Sequence, residues 1–301
     1  MKNLFLYIFL SFLSSTAIAK ISVVTSSQDL KSIAEYVGGD EVQVEALAPG
    51  NFDLHSIEPR PSMVFKLKKA DIIVRIGLDL DMWVDSLINA AKNKKLFMNG
   101  HGYVDASVGI SLMQKPEWKI DASMGDIHLF GNPHYWLDPE NGKIIARNIK
   151  EGLVRIKPEK KEYFERNYSD FSRRLDEKIA AWRLEMSNMS GKKIITYHNS
   201  WVYFARAFGL DVSANIEPKP GIAPNANHIS FLLGLMKKEG IKIILVDNFY
   251  SLKAPDEIAL KTGASVVSVP SSVKGDEQAK DYISLFDVII KKLLSADSKR
   301  G

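Results

Sequence analysis

Six histidines are the residues of this chain best equipped to do chemistry: His55, His101, His128, His134, His198 and His228. Neutral imidazole is a good ligand for zinc and other late first-row ions. His198 directly follows the strand-like "KIITY" (193–197) and precedes a helical run, which is the carboxyl-end position where open α/β sheets hold ligands. His55 lies in "GNFDLHSIEPRP", between a strand and a helix. His134 lies in "FGNPHYWLDPENGK", a loop that leads into a helix. A loop histidine on its own is more often a polar filler bonded to backbone than a ligand. Three of them at sheet-edge loops in different parts of the chain can meet on one ion only if two lobes face each other.

The elements that must position them alternate along the chain. "ISVVT" (21–25) is a β-branched run, and in the segment after it Leu30, Ile33, Ala34 and Val37 recur at helical spacing behind Ser27 as N-cap. "VQVEALA" (42–48), "DIIVRIG" (71–77) and "KLFMN" (95–99) read as strands. "PSMVFKLKKA" (61–70) and "DMWVDSLINAA" (81–91) read as helices. After "NGKIIARNIKEGLVRI" comes a stretch in which Phe164, Tyr168, Phe171, Leu175, Ile179 and Trp182 return every three or four residues without internal Gly or Pro. That pattern predicts one long helix, whose bulky aromatics suit a strut packed along two domains better than a coiled-coil seam. The α/β alternation resumes with strands at 193–197, 212–216, 241–246 and 264–269, and helices at 200–210, 228–240, 255–263 and 282–294. The tail "SADSKRG" is polar. The fold class expected is α/β: two lobes, each with a mostly parallel sheet flanked by helices, joined by a long backbone helix, with the site in the cleft between them. The boundaries expected are a signal peptide over 1–19, an N-terminal lobe over 20–140, connecting helices over 141–190 and a C-terminal lobe over 191–301.

Composition narrows the function classes. The chain has 301 residues, 46% hydrophobic and 25% charged, with a formal charge of +4; this is an ordinary globular balance, long enough for two domains. Its charge is spread over 40 basic and 36 acidic residues, without the one-sided basic face that nucleic acid requires. The first residues, "MKNLFLYIFLSFLSSTAIAK", combine Lys2, an apolar run and Ala17-Ile18-Ala19, the pattern of a cleaved export signal. The apolar run is about ten residues, against the roughly 20 that span a bilayer. Cysteine is absent, which excludes a lipid-anchored cysteine at the cleavage point and any disulfide framework. A soluble periplasmic protein is expected. No glycine-rich nucleotide fingerprint follows any strand.

Three segments, "LHSIEPRPSMVFKLKKADIIVRIGLDLDMW", "NPHYWLDPENGKIIARNI" and "TYHNSWVYFARAFGL", resemble the signature regions of the periplasmic metal-binding proteins of bacterial zinc and manganese ABC importers. The resemblance covers nearly the whole mature chain, and the runs H-x-x-E-P-x-P and P-H-x-W-L-D-P in this order make it specific. It implies a metal between the lobes, held at the positions of His55, His134 and His198. At the third position the family varies between histidine and glutamate, the latter typical of manganese importers; histidine here argues for Zn2+ as bound cargo, with Mn2+ or Fe2+ as the alternative. It further implies delivery to an inner-membrane ABC permease with a cytoplasmic ATPase, by a protein that is no enzyme and is expected to be monomeric.

The fourth ligand is open. Where many relatives carry an aspartate, this chain has Ser271 in "SVPSSVKGDEQ", and a serine hydroxyl is a poor zinc ligand beside a carboxylate. Asp247, directly after "IKIILV", is the preferred candidate, with a supporting role behind a ligand imidazole as its alternative; Glu217 and water are the others. His128, six residues before His134, is close enough to guide or capture an ion without being obliged to bind it. His101 and His228 read as surface or capping residues. The rival from another class is a zinc hydrolase using Glu217 or Asp247 as base, but the chain has neither H-E-x-x-H nor G-x-S-x-G.

Overall fold

The computed structural model describes residues 19–116 and 128–298. Residues 1–18 of the segment read as an export signal lie outside these. Strands β1 (Ile21–Thr25), β2 (Val42–Ala46), β3 (Ile72–Arg75) and β4 (Tyr103–Asp105) form a first parallel sheet in the order β2-β1-β3-β4. Between them run α1 (Gln28–Gly38), α2 (Pro61–Lys69) and α3 (Trp83–Ala91). The Ser27 hydroxyl accepts from the Leu30 N–H, so α1 starts where a cap is available. Proline begins α2, where its missing N–H costs no helix hydrogen bond.

The second sheet repeats this plan. Strands β5 (Lys193–Thr196), β6 (Asp211–Asn215), β7 (Ile243–Asp247) and β8 (Ser265–Val269) pair in parallel in the order β6-β5-β7-β8. Helices α6 (Val202–Phe208), α7 (Ala226–Glu239), α8 (Lys253–Thr262) and α9 (Tyr282–Ser298) surround it. All five residues of β7 are buried. Ile243 and Leu245 join the large apolar core, whereas Ile244 and Val246 join a smaller one with Leu232 and Met236 of α7 and Ile258 of α8. Alternate side chains thus serve the two faces, which is why a central parallel strand reads as a continuous apolar run.

Between the sheets lie α4 (Pro139–Ile156) and the long α5 (Lys161–Glu185). The buried stripe of α5 is Phe164, Phe171, Leu175, Ile179 and Trp182. Phe171 meets Tyr36 of α1 at 5.2 Å between ring centroids and Tyr282 of α9 at 6.4 Å, and Trp182 meets Phe286 at 5.2 Å. One helix therefore packs along both lobes, as the stripe predicts.

Two local expectations are corrected. Residues 95–99 form no strand: Lys94–Leu96 is a single 3-10 turn capped by Asn93, and Asn99 takes φ 68°, so the chain reverses before pairing. The fourth strand comes instead from Tyr103–Asp105, which continues the register of β3. The closing helix also runs to Ser298 rather than ending at 294, because the polar residues after Leu294 are compatible with an exposed last turn.

Candidate metal centre

His55 and His134 are held by partners two residues away, and His198 by a carboxylate 19 residues away. His55 sits in a 3-10 turn, Leu54–Ser56, after β2, and Asp53 Oδ1 accepts from both its backbone N–H (2.9 Å) and its Nδ1 (2.7 Å). His134 repeats the arrangement: Asn132 Oδ1 accepts from its N–H (3.0 Å) and Nδ1 (2.9 Å). The Asn132 amide nitrogen donates to Gln114 Oε1 and to the Asn199 carbonyl, which identifies the end of the amide that faces His134. His198, at the end of β5, donates Nδ1 to Glu217 Oε2 at 2.7 Å, and the Gly221 N–H reaches the same oxygen. Carboxylates and an amide oxygen only accept, so all three rings carry a hydrogen on Nδ1, which leaves Nε2 as the nitrogen free to meet an ion.

The three rings meet. His55, His134 and His198 each offer a ligand atom within 4.8 Å of the others, and their centroids lie 5.1–5.3 Å apart. His134 and His198 are buried, with His55 half-buried. Burial, reinforced by the neighbouring His55, His198 and His128, holds the His134 imidazole well below its ordinary value and so neutral. Burial alone would lower His198 too. The hydrogen bond and charge of Glu217, with Asp247 and Asp53 behind them, carry it above its ordinary value instead. The centre is thus a set of three imidazoles, two backed by carboxylates and one by an amide oxygen, an arrangement suited to a soft-to-borderline divalent cation.

Asp247 stands outside this set among the described residues. It is 1% exposed, and its Oδ2 accepts from Trp201 Nε1 at 3.0 Å. Burial raises its carboxyl above the ordinary value, opposed by Ser271, Trp201 and His198. Glu217 takes the orienting position behind His198. Ser271 is buried with its carbonyl accepting from Trp136 Nε1. His228 lies in the first turn of α7, donating its N–H to Asn225 and bonding the Asn215 carbonyl through Nε2, and His101 is exposed. His128 does reach the centre: its Nε2 is 3.0 Å from that of His55, with Nδ1 on Asp79. Sequence reasoning passed over Asp53, Asn132 and Asp79. For the first two a signal exists, an Asp or Asn two residues before the histidine, which can bond backbone and ring together. Asp79 carries none, being 49 residues from its partner.

The family model described as zinc-uptake complex component A, periplasmic (ZnuA), matches residues 23–296. The chain is 27% identical over 267 residues to the high-affinity zinc uptake system protein ZnuA of Bacillus subtilis (strain 168), covering 87% of this chain and 82% of that protein. It is 25% identical over 300 residues to the manganese ABC transporter substrate-binding lipoprotein PsaA of Streptococcus pneumoniae, covering 95% and 92%. Among solved structures, a crystal structure of ZnuA superposes with a TM-score of 0.78 at 25% identity, covering 93% of this chain and all of that one. A zinc-bound ZnuA carrying a deletion of 138–173 gives the same score at 26% identity, covering 92% and 98%. With the match running from β1 to α9 and three imidazoles gathered between two parallel sheets, this chain belongs to the periplasmic ZnuA family of metal-binding proteins.

Proposed function

We propose that this chain captures zinc and hands it to an ABC permease, gripping the ion with the Nε2 atoms of His55, His134 and His198. The coarser statement rests on family membership: the protein is a periplasmic binding component for a divalent metal ion of the zinc/manganese importer type, and it works by binding rather than catalysis. Zinc is favoured over manganese by one observation, the chemistry of the donor set. Three imidazole nitrogens, each on a ring whose Nδ1 is anchored, suit zinc, whereas manganese prefers carboxylate and water oxygens. Entry of the ion replaces its water shell by imidazoles that need no reorientation, since Asp53, Asn132 and Glu217 already fix the rings. The permease sits in the inner membrane with its ATPase on the cytoplasmic side, and the binding protein acts as a monomer.

Equilibrium dialysis with metal analysis tests this reading. One zinc per chain at micromolar free ion is expected, and replacing His55, His134 and His198 together by alanine abolishes it. Competition with manganese at equal free concentration should leave zinc bound; preferential retention of manganese would falsify the imidazole argument.

A further inference from the structure

Three imidazoles fill three corners of zinc's tetrahedron and leave the fourth for another donor. We propose that His128 closes it, making an all-histidine centre, and that Asp79 sets the His128 ring; this rests on the reading of the cluster as a zinc site.

The first observation is the contact between His55 and His128, whose Nε2 atoms lie 3.0 Å apart. Donors on a four-coordinate zinc with bonds of about 2.0–2.1 Å stand about 3.3 Å from one another, so this separation is close to one edge of the tetrahedron. The second is the state of those nitrogens. His55 Nδ1 faces Asp53 and His128 Nδ1 faces Asp79, and both carboxylates can only accept. Each ring therefore carries a hydrogen on the far side, and the two Nε2 atoms are turned toward each other. A cation shared between them suits this pair, and the His134 and His198 rings beside His55 suit a metal ion better than a proton.

The third observation is how Asp79 is presented. Gly77, Leu78 and Asp79 adopt φ of 76°, 53° and 67° in succession at the end of β3. A bulky residue such as Leu78 rarely takes that left-handed conformation, and such outliers persist where the surroundings demand them. The turn aims both Asp79 oxygens at one target: one meets His128 Nδ1 and the other accepts from the Leu129 N–H at 2.9 Å. Both side chains are largely withdrawn from solvent, His128 at 14% and Asp79 at 12%. The cluster of His55, His134 and His198 includes neither His128 nor Asp247; of the two, His128 meets one of its rings at 3.0 Å, while Asp247 gives one oxygen to Trp201. His128 is the outermost of the four rings, 6.3 Å from His134 between centroids, so it completes the tetrahedron by a small inward shift after the other three are in place. An imidazole at this corner makes the donor set entirely nitrogen, which turns the site further from manganese.

Zinc K-edge X-ray absorption and chelator competition on the purified protein decide the matter. Wild-type protein should show four imidazole scatterers and His128→Ala three. Affinity should fall at least about 100-fold in His128→Ala and about tenfold in Asp79→Asn, which leaves the ligand in place but loosens its ring. Circular dichroism and melting of the zinc-free variants establish folding, and if His128→Ala does not fold, Asp79→Asn carries the test. Three imidazoles and one oxygen in the wild type, or unchanged affinity in the folded variants, overturns the assignment of His128 while leaving the three-histidine centre intact. Absence of bound zinc from the wild type overturns both.

Discussion

An imidazole makes a good metal ligand when its other nitrogen is held, and in this centre two rings are held locally and one from a distance. Asp53 and Asn132 act from two residues away, so their geometry is local, whereas Glu217 reaches His198 from the end of β6. Glu217 also accepts from the Gly221 N–H, which fixes the carboxylate before the ring arrives. Replacing Glu217 by alanine should therefore weaken zinc by about 10–100-fold, because His198 loses both its orientation and the charge that makes Nε2 a better donor. Chelator competition measures this; an unchanged affinity would show that His198 needs no orienter. Asp138, by contrast, belongs to the scaffold: it caps α4 through the Glu140 N–H and pairs with Arg206 at 2.7 Å. The sequence pattern around His55 and His134 was legible in the runs H-x-x-E-P-x-P and P-H-x-W-L-D-P, though the orienting Asp53 and Asn132 were passed over. The partners of His128 and His198 were not legible, since nothing in their neighbourhoods marks a carboxylate 49 or 19 residues away.

At the scale of elements, α5 is the member that ties the two sheets together. Its stripe was readable because a 3.6-residue period with no glycine or proline survives over 25 residues. Phe171 is 2% exposed and touches aromatic rings from α1 and α9, one from each lobe. Phe171→Ala should cost about 3–5 kcal/mol by cavity formation, seen as a lowered melting temperature of the zinc-free protein. Zinc affinity of the folded variant should stay within about twofold, because none of the groups holding the imidazoles rests on Phe171; a large loss of affinity would show that the strut sets the site. The short strands were harder to read. Tyr103–Asp105 has only three residues, and three residues show no period; they become a strand by lying along β3.

For the whole molecule, the two sheets share one strand order, and the site forms where their carboxyl ends confront each other. The confrontation is fastened by contacts across the lobes. Asp29 of α1, wholly buried, accepts from Ser272 Oγ (2.6 Å) and the Val273 N–H (2.9 Å). Gly50 comes so close to the Val273 carbonyl that an added Cβ would stand 1.9 Å from its oxygen. Burial pushes the Asp29 carboxyl from its ordinary 3.8 up to about 6, against the hydrogen bonds of Ser272 and Val273. The folded state then binds this proton more tightly than the unfolded chain does. The contribution of Asp29 to stability is most favourable below pH 3.8 and declines as pH rises through about 6, by about 3 kcal/mol in all. Asp29→Asn keeps a polar group for both partners without the ionisation. Its stability relative to wild type should rise between pH 4.5 and 7 in denaturant titrations; a difference that does not change with pH would contradict this account. What the sequence determined by itself was the alternation of strand and helix and the long connecting helix, with three histidines as candidates for a centre, because these depend on residue type and short periods. Only the tertiary structure decided that the lobes face each other, that Glu217 and Asp79 stand behind imidazoles, and that His128 comes within 3.0 Å of His55 while Asp247 turns to Trp201. Those are distances between residues far apart in the chain, and they exist only once the two sheets have packed.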